Sequence, residues 1–393
     1  MQALKFEINS ANFHLFGNLN AKFYLWHKFL LFHIMTKQEL IESFDPNGVG
    51  ASGKLFGLPF DEQTADLIII PVPWEVTVSY NAGTAIAPKE ILFASSQVDL
   101  YDADIENAWH LGVAMLPFPE KWLELNETLR QEAENYIQWL EADMPEELDE
   151  EIAYLREIPE VINKEAERLN QWVEKTAIHW LKQGKMVALL GGDHSTPLGI
   201  LQVLAKQYQN FGILQIDAHA DLREAYEGFE FSHASIMFNA LKIPQISKLV
   251  QVGIRDYCEA EINLIQNSKG RIKTFFDQDI KEALYEGKTW ANICDEIIAE
   301  LPEKIYISFD IDGLDPKLCP HTGTPVAGGF EFWEINFLLK KLVKAGKKII
   351  SFDLVEVACG DVENEEWDAN VGARVLYKLA NWMGVSQGKL KMR

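Results

Sequence analysis

The sequence predicts an α/β protein built on a mostly parallel sheet, and three observations predict it. Short apolar runs alternate with amphipathic stretches through the middle and C-terminal parts, the pattern of βαβ units. The runs are continuous rather than alternating, as parallel strands covered on both faces are. Polar clusters follow three of them, where the carboxyl ends of such strands form a ligand crevice. In order, the predicted strands are 67–70, 187–190, 212–216, 249–254, 272–276, 305–309 and 349–357. The predicted helices are 197–207, 234–241, 292–300, 331–344 and 370–383. Pro197 suits the first turn of its helix, with Ser195 or Thr196 as cap.

The texture changes after the first strand. Over 117–170 there are roughly three acids to each base, about half of the chain's net charge. Over 159–183 apolar residues such as Val161, Ile162, Ala166, Leu169, Val173 and Ala177 recur at helical spacing. Pro159 is placed for a first turn and Gly184 for a C-terminal cap. An acidic helical insertion with a solvated face is therefore expected at about 117–183, within a single domain over 35–393. Upstream, the apolar stretch 23–35 is too short to span a bilayer, carries His27, Lys28 and His33, and lacks a following small-residue cleavage site. Two readings stand for 1–34: an extension from a misassigned start, or an arm that packs on a neighbouring subunit.

Composition narrows the function classes. A chain of 393 residues, 48% hydrophobic and 24% charged, is neither disordered nor fibrous. A formal net charge of -23 argues against binding nucleic acid or an anionic membrane surface. Four cysteines without a close pair exclude a zinc ribbon or a CxxC redox motif and fit a reduced, cytoplasmic compartment.

The polar clusters carry the chemistry. Gly191-Gly192-Asp193-His194-Ser195, Asp217-Ala218-His219-Ala220-Asp221 and Asp310-Ile311-Asp312-Gly313 each follow an apolar run. Singly, each reads as a turn or a helix cap. Together they offer two imidazoles and four carboxylates, more than one ion needs, and carboxylates packed so densely repel one another without cations. A two-metal centre resolves both points. Asp193 is expected to support His194 rather than to ligate. Small Ala218 and Ala220 leave room for the loop to wrap round the ions.

At these residues the chain resembles the ureohydrolase family, which includes arginases, agmatinases, guanidinobutyrases and formimidoylglutamases. The resemblance lies in GGDHS at 191–195, DAHAD at 217–221 and SFDIDGLDP at 308–316, and covers roughly 65–385. It implies a three-layer α/β/α sandwich with a central, mostly parallel sheet and two divalent metal ions held by His194, Asp217, His219, Asp221, Asp310 and Asp312. It further implies a proton-shuttling His233, a substrate carboxylate at Glu356 and a position near the substrate at Thr324. A guanidinium is a fitting partner for a carboxylate in an apolar strand, being planar, cationic and able to bond bidentately. The activity implied is cleavage of a guanidino C–N bond by a metal-bound hydroxide, with Asp221 passing a proton to the departing amine.

The substrate is read from the loops. The Ser/Asn-rich stretch of arginases is absent from 222–231, and the arginine-bearing RPG loop of agmatinases is replaced by Pro73-Trp74-Glu75-Val76-Thr77-Val78-Ser79-Tyr80. Trp74, Thr77 and Tyr80 are expected to wall a small pocket. Together with AYEGF and FSHAS within 225–235, the acidic insertion and VEVACG at 355–360, this loop resembles the nickel-dependent guanidine hydrolases. Free guanidine is thus the expected substrate and nickel the expected metal. The alternatives are a manganese-dependent agmatinase or guanidinobutyrase, and a regulatory protein that binds metal without turnover. The resemblance also implies a homo-oligomer, trimer or hexamer, and accessory proteins that load nickel.

Overall fold

A computed structural model of the chain describes residues 35–142, 149–360 and 366–393. The extension expected at 1–34 lies outside the described residues. The described residues fall into two units: helix α1 (Lys37–Ser43) belongs to one, and residues from 44 onwards form the other.

The larger unit is an eight-stranded parallel sheet flanked by helices, the α/β class expected. Its chain order begins with β1 (Leu67–Val72), helix α2 (Ala87–Ser95), β2 (Ile105–Glu106) and β3 (Val113–Met115). Two long helices follow, α3 (Glu120–Glu141) and α4 (Asp149–Leu181), leading to β4 (Met186–Gly191) and α5 (Leu198–Gln207). Then come β5 (Phe211–Ile216), α6 (Ile236–Leu241), β6 (Ile246–Ile254), α7 (Glu259–Asn267), β7 (Ile272–Phe276), α8 (Asp277–Tyr285) and α9 (Trp290–Glu300). β8 (Lys304–Asp310), α10 (Phe332–Lys344), β9 (Lys348–Val355), α11 (Trp367–Ser386) and β10 (Lys391–Met392) complete it. The spatial order is β3-β1-β4-β9-β8-β5-β6-β7, while β10 pairs antiparallel with β2 in a separate ribbon.

This order decides where the chemistry goes. β4, β9, β8 and β5 are consecutive neighbours at the centre of the sheet, so their carboxyl ends lie side by side. The strands are apolar because both faces are covered: Leu67, Ile68, Ile69 and Ile70 of β1 expose no surface. Each such side chain contributes about 1.5–3 kcal/mol of burial. Among the described residues no helix is long and apolar enough to cross a membrane.

The structure departs from the expected elements in several places. β3, at three residues, is too short to show a period, and α2, α7 and α8 are short helices without long apolar runs. Pro159 does not open its helix but lies within α4, which begins ten residues earlier. Leu198 rather than Pro197 opens α5, and no side chain caps it. The stripe Ile162, Ala166, Leu169, Val173 and Ala177 is buried as expected, whereas Val161 is exposed. α4 also touches β1, β4 and α5 and runs directly into β4, so its C-terminal half serves the sheet as a crossover helix.

The turn after β4 needs glycine for a steric reason. A Cβ at Gly192 would lie 1.9 Å from the Trp74 carbonyl oxygen, which accepts the Asp193 N–H at 2.8 Å. Gly192→Ala is expected to cost on the order of 3 kcal/mol through overpacking, read as a lowered midpoint in denaturant titration.

Candidate metal centre

Each cluster sits where a central strand ends. Gly191 closes β4, and the 192–197 turn presents His194. Asp217 follows β5, and the chain then turns through Asp221, whose φ is 55°. Asp310 ends β8 and accepts the Asp312 N–H at 2.9 Å in a short turn that points both carboxylates inward. Glu356 follows β9 with φ 61°, which is why that strand stops at Val355, short of the expected end. Left-handed backbone at two non-glycine residues, both at one site, costs energy that the surrounding structure must offset.

The side chains converge closely. His194 Nδ1 lies 2.9 Å from Asp221 Oδ2, 3.0 Å from Asp217 Oδ2 and 3.1 Å from Asp310 Oδ2. His219 Nδ1 lies 2.9 Å from Asp312 Oδ2 and 3.7 Å from Asp217 Oδ1. Two groups result, His194 with Asp217 and Asp310, and Asp217 with His219 and Asp312; in each, the donor atoms lie within 4.8 Å of one another. Asp217 belongs to both.

The surroundings test whether cations fit. His194 Nε2 is 2.8 Å from Ser308 Oγ, whose hydroxyl donates to Asp353 Oδ2 at 2.9 Å. That chain gives Nε2 a proton and turns Nδ1 towards three carboxylates, which hold His194 well above its usual value against its burial. Nδ1 is buried and has no hydrogen-bond partner, and neither has Asp312 Oδ2. Carboxylates gathered round one nitrogen repel one another unless a cation or a proton lies among them.

The acidities agree. Burial, with Asp221 and Asp312, raises Asp217 to about 7, and burial with Asp312 and Asp217 raises Asp310 well above the carboxylate range. Burial alone would lower His219, but Asp312, Asp217 and Asp221 outweigh it and push it up to about 10. Asp312 runs against its own burial and is lowered, mainly by His219. Protons thus do the neutralising that a pair of divalent cations would do, and the donor set fits such a pair.

A cavity of about 160 Å³ opens beside these groups, lined by His219, Asp221, His233, Thr324, Ser79 and Tyr226, among others. His233, half-buried in this wall, is lowered to about 3 by burial and by the neighbouring imidazoles and Arg130. Glu356 is buried; its Oε1 accepts the His194 N–H at 2.8 Å, and its Oε2 lies against Gly323, next to Thr324.

The loop expected to wall the pocket is arranged differently. Tyr80 is 71% exposed, so its ring does not close the site. Trp74 is fully buried and faces Trp122 of α3 with ring centroids 6.2 Å apart, and Thr77 is buried with an unpartnered hydroxyl. The residue of this loop on the cavity wall is Ser79. Asp193 does not hold His194 either: its Oδ1 accepts the Ser195 N–H at 2.9 Å, capping its own turn.

Sequence reasoning missed Ser308, Asp353, Gln215 and Ser79. Ser308 precedes Asp310 by two residues on one strand, hence shares its face, and that spacing was the available signal. Gln215, two residues before Asp217 on β5, likewise donates to Asp217 Oδ2 at 2.8 Å. Ser308→Ala is expected to free the His194 tautomer and weaken metal affinity about 10–100-fold, as measured by competition with a chelating dye.

Comparison with known proteins adds the family. The arginase family's model matches residues 65–381. The N(1)-aminopropylagmatine ureohydrolase of Thermus thermophilus is 29% identical over 84% of this chain and 94% of its own length. The agmatinase of Pyrococcus horikoshii is 26% identical over 76% and 86%. In fold, the crystal structure of agmatine ureohydrolase from Thermoplasma volcanium superposes with a TM-score of 0.62 at 20% identity, covering 90% of this chain and 99% of that one. With strand-end clusters on an eight-stranded parallel sheet and a match across four-fifths of its length, this chain belongs to the arginase family.

Proposed function

We propose that the protein hydrolyses the C–N bond of a guanidino compound, releasing urea, at a centre for two divalent cations. The observation that carries this is His194 Nδ1 held among three carboxylates beside a cavity wall that bears His233. Cations bound there supply Lewis acidity and the positive charge that the buried carboxylates require. The donor set, rich in carboxylate oxygen, suits manganese; nickel is supported by the two imidazoles and by the loop resemblance. Glu356 receives the guanidinium, its charge and two oxygens matching the planar fork. Asp221 accepts the proton of the attacking water and returns it to the departing amine, and His233 exchanges protons with solvent through the cavity.

On the substrate, the family relatives support a guanidino compound with an amine tail, of the agmatine type. Asp256, largely exposed on the cavity wall, offers such a tail a negative charge. Free guanidine is the second reading, favoured by the cavity itself. At about 160 Å³ it is small beside the roughly 300–1,000 Å³ of pockets that take larger ligands. Urea release from agmatine, guanidinobutyrate, arginine and guanidine, with manganese or nickel, separates the two. The highest kcat/KM on agmatine supports the first reading and on guanidine the second; no urea from any of them overturns both.

A further inference from the structure

The acidic helices α3 and α4 do more than present a solvated face. Trp122, Asn126 and Arg130 lie four residues apart on α3, one stripe on one face. All three reach the loop that follows β1. Trp122 packs on Trp74, and Asn126 Oδ1 accepts the Glu75 N–H at 2.7 Å. Arg130 Nη1 donates to the Val76 carbonyl at 3.3 Å and to the Val78 carbonyl as well. Its Nε pairs with Glu134 at 3.1 Å.

The loop is closed at its base by its own chain. The Glu75 Oε2 carboxylate oxygen accepts the N–H groups of Gly83, Thr84 and Ala85 at 2.7, 2.6 and 3.2 Å. At its far side the Asn81 N–H donates to the Gly323 carbonyl at 3.1 Å, beside Thr324. Between these ties the carbonyls of Val76 and Val78 meet Arg130, and the next residue, Ser79, is on the cavity wall.

A second part of the cavity's surround is held from α3 and α4 too. Asn163 of α4 brackets the 228–230 turn, donating to the Gly228 carbonyl at 3.3 Å and accepting the Glu230 N–H at 2.8 Å. Tyr136 of α3 packs on Phe229 at 5.5 Å, and the Pro159 ring faces Gly228. This turn follows Tyr226, whose ring lies 6.1 Å from that of His233.

We propose that the α3–α4 pair is a brace that sets the mouth of the cavity, and that Arg130 is its positioning residue, holding the 74–81 loop so that Ser79 faces the substrate. The chemistry of the contact requires arginine. One planar guanidinium serves two backbone carbonyls and a carboxylate at once, while a lysine ammonium is a point charge that cannot keep that geometry. Ser79 and Thr324 then form the part of the wall that meets a substrate beyond its guanidinium, and Arg130 acts on specificity through Ser79.

The test uses Arg130→Met, which keeps the aliphatic stem, and Arg130→Lys. Its kinetic arm rests on the guanidino-hydrolase reading; its exchange arm does not. In Arg130→Met the amides of Glu75, Val78 and Asn81 are expected to exchange with deuterium faster, while those of Ala218 and His219 stay unchanged. KM for the guanidino substrate is expected to rise about tenfold with kcat within about threefold, as lost binding common to ground and transition states predicts. Arg130→Lys is expected to recover part of the KM, and Ser79→Ala added to Arg130→Met is expected to cost little more than either alone, since both act through one contact. Unchanged exchange at 75–81 overturns the proposal. So does faster exchange spread evenly over the fold, or a KM effect that adds fully to that of Ser79→Ala. If the wild-type protein releases no urea, the functional reading fails and the exchange arm still decides whether the brace exists.

Discussion

Glu356→Gln is expected to lower kcat/KM for the guanidino substrate by at least about 100-fold while two cations stay bound. The side chain is buried, and burial with the nearby charges of Asp193 and Asp312 pushes its carboxyl well above its usual range. A group so placed welcomes a cation, and a guanidinium supplies one in matching geometry. Glutamine keeps an oxygen at Oε1 to accept the His194 N–H, so the turn that presents His194 is preserved. What is lost is the charge facing the substrate. Because an unpaired buried acid is removed, the melting temperature is expected to hold or rise, the usual exchange of stability against function. Metal analysis alongside steady-state kinetics checks both halves. Unchanged activity would remove Glu356 from the site.

Asp217→Asn is expected to have the opposite signature, with metal and turnover lost together. Asp217 is the member common to both donor groups, so neutralising it weakens both positions at once. The new amide also places an N–H against the Gln215 Nε2 donor, or turns its oxygen away from one group. Supporting contacts alone change metal affinity about 10–100-fold, so a donor shared by two positions is expected to cost at least the upper end. Metal content after gel filtration and urea release at saturating substrate read it. Two cations retained with full activity would contradict the assignment of Asp217.

Much of this site was legible in the sequence because strand-end chemistry is local. GGDHS, DAHAD and the Asp310–Asp312 pair each sit within five residues of a buried strand, and a parallel sheet brings such ends together whatever their separation in the chain. Glu356 was visible as a carboxylate among apolar neighbours. Less legible were residues whose role depends on tertiary contact. Tyr80 looks like a pocket wall in sequence, yet its loop turns it outward and Ser79 inward, since Arg130 and Asn126, some fifty residues away, set that loop. Asp193 looked like the partner of His194, while Ser308 on another strand takes that place. The acidic run read as solvated surface, which its outer face is. On α3 the inner stripe carries polar Asn126 and Arg130 beside apolar Leu129, Ala133, Tyr136 and Ile137, and an apolar period does not say which loop those polar groups hold.

The central claim is that two divalent cations at His194, Asp217, His219, Asp221, Asp310 and Asp312 enable hydrolysis of a guanidino group. Titrating chelator-stripped protein with manganese or nickel, and following bound metal and urea release together, tests it most directly. The account predicts no urea from the stripped protein, saturation at two cations per chain, and release of urea from at least one guanidino compound as the sites fill. Saturation at two cations with no urea from any guanidino compound would contradict it.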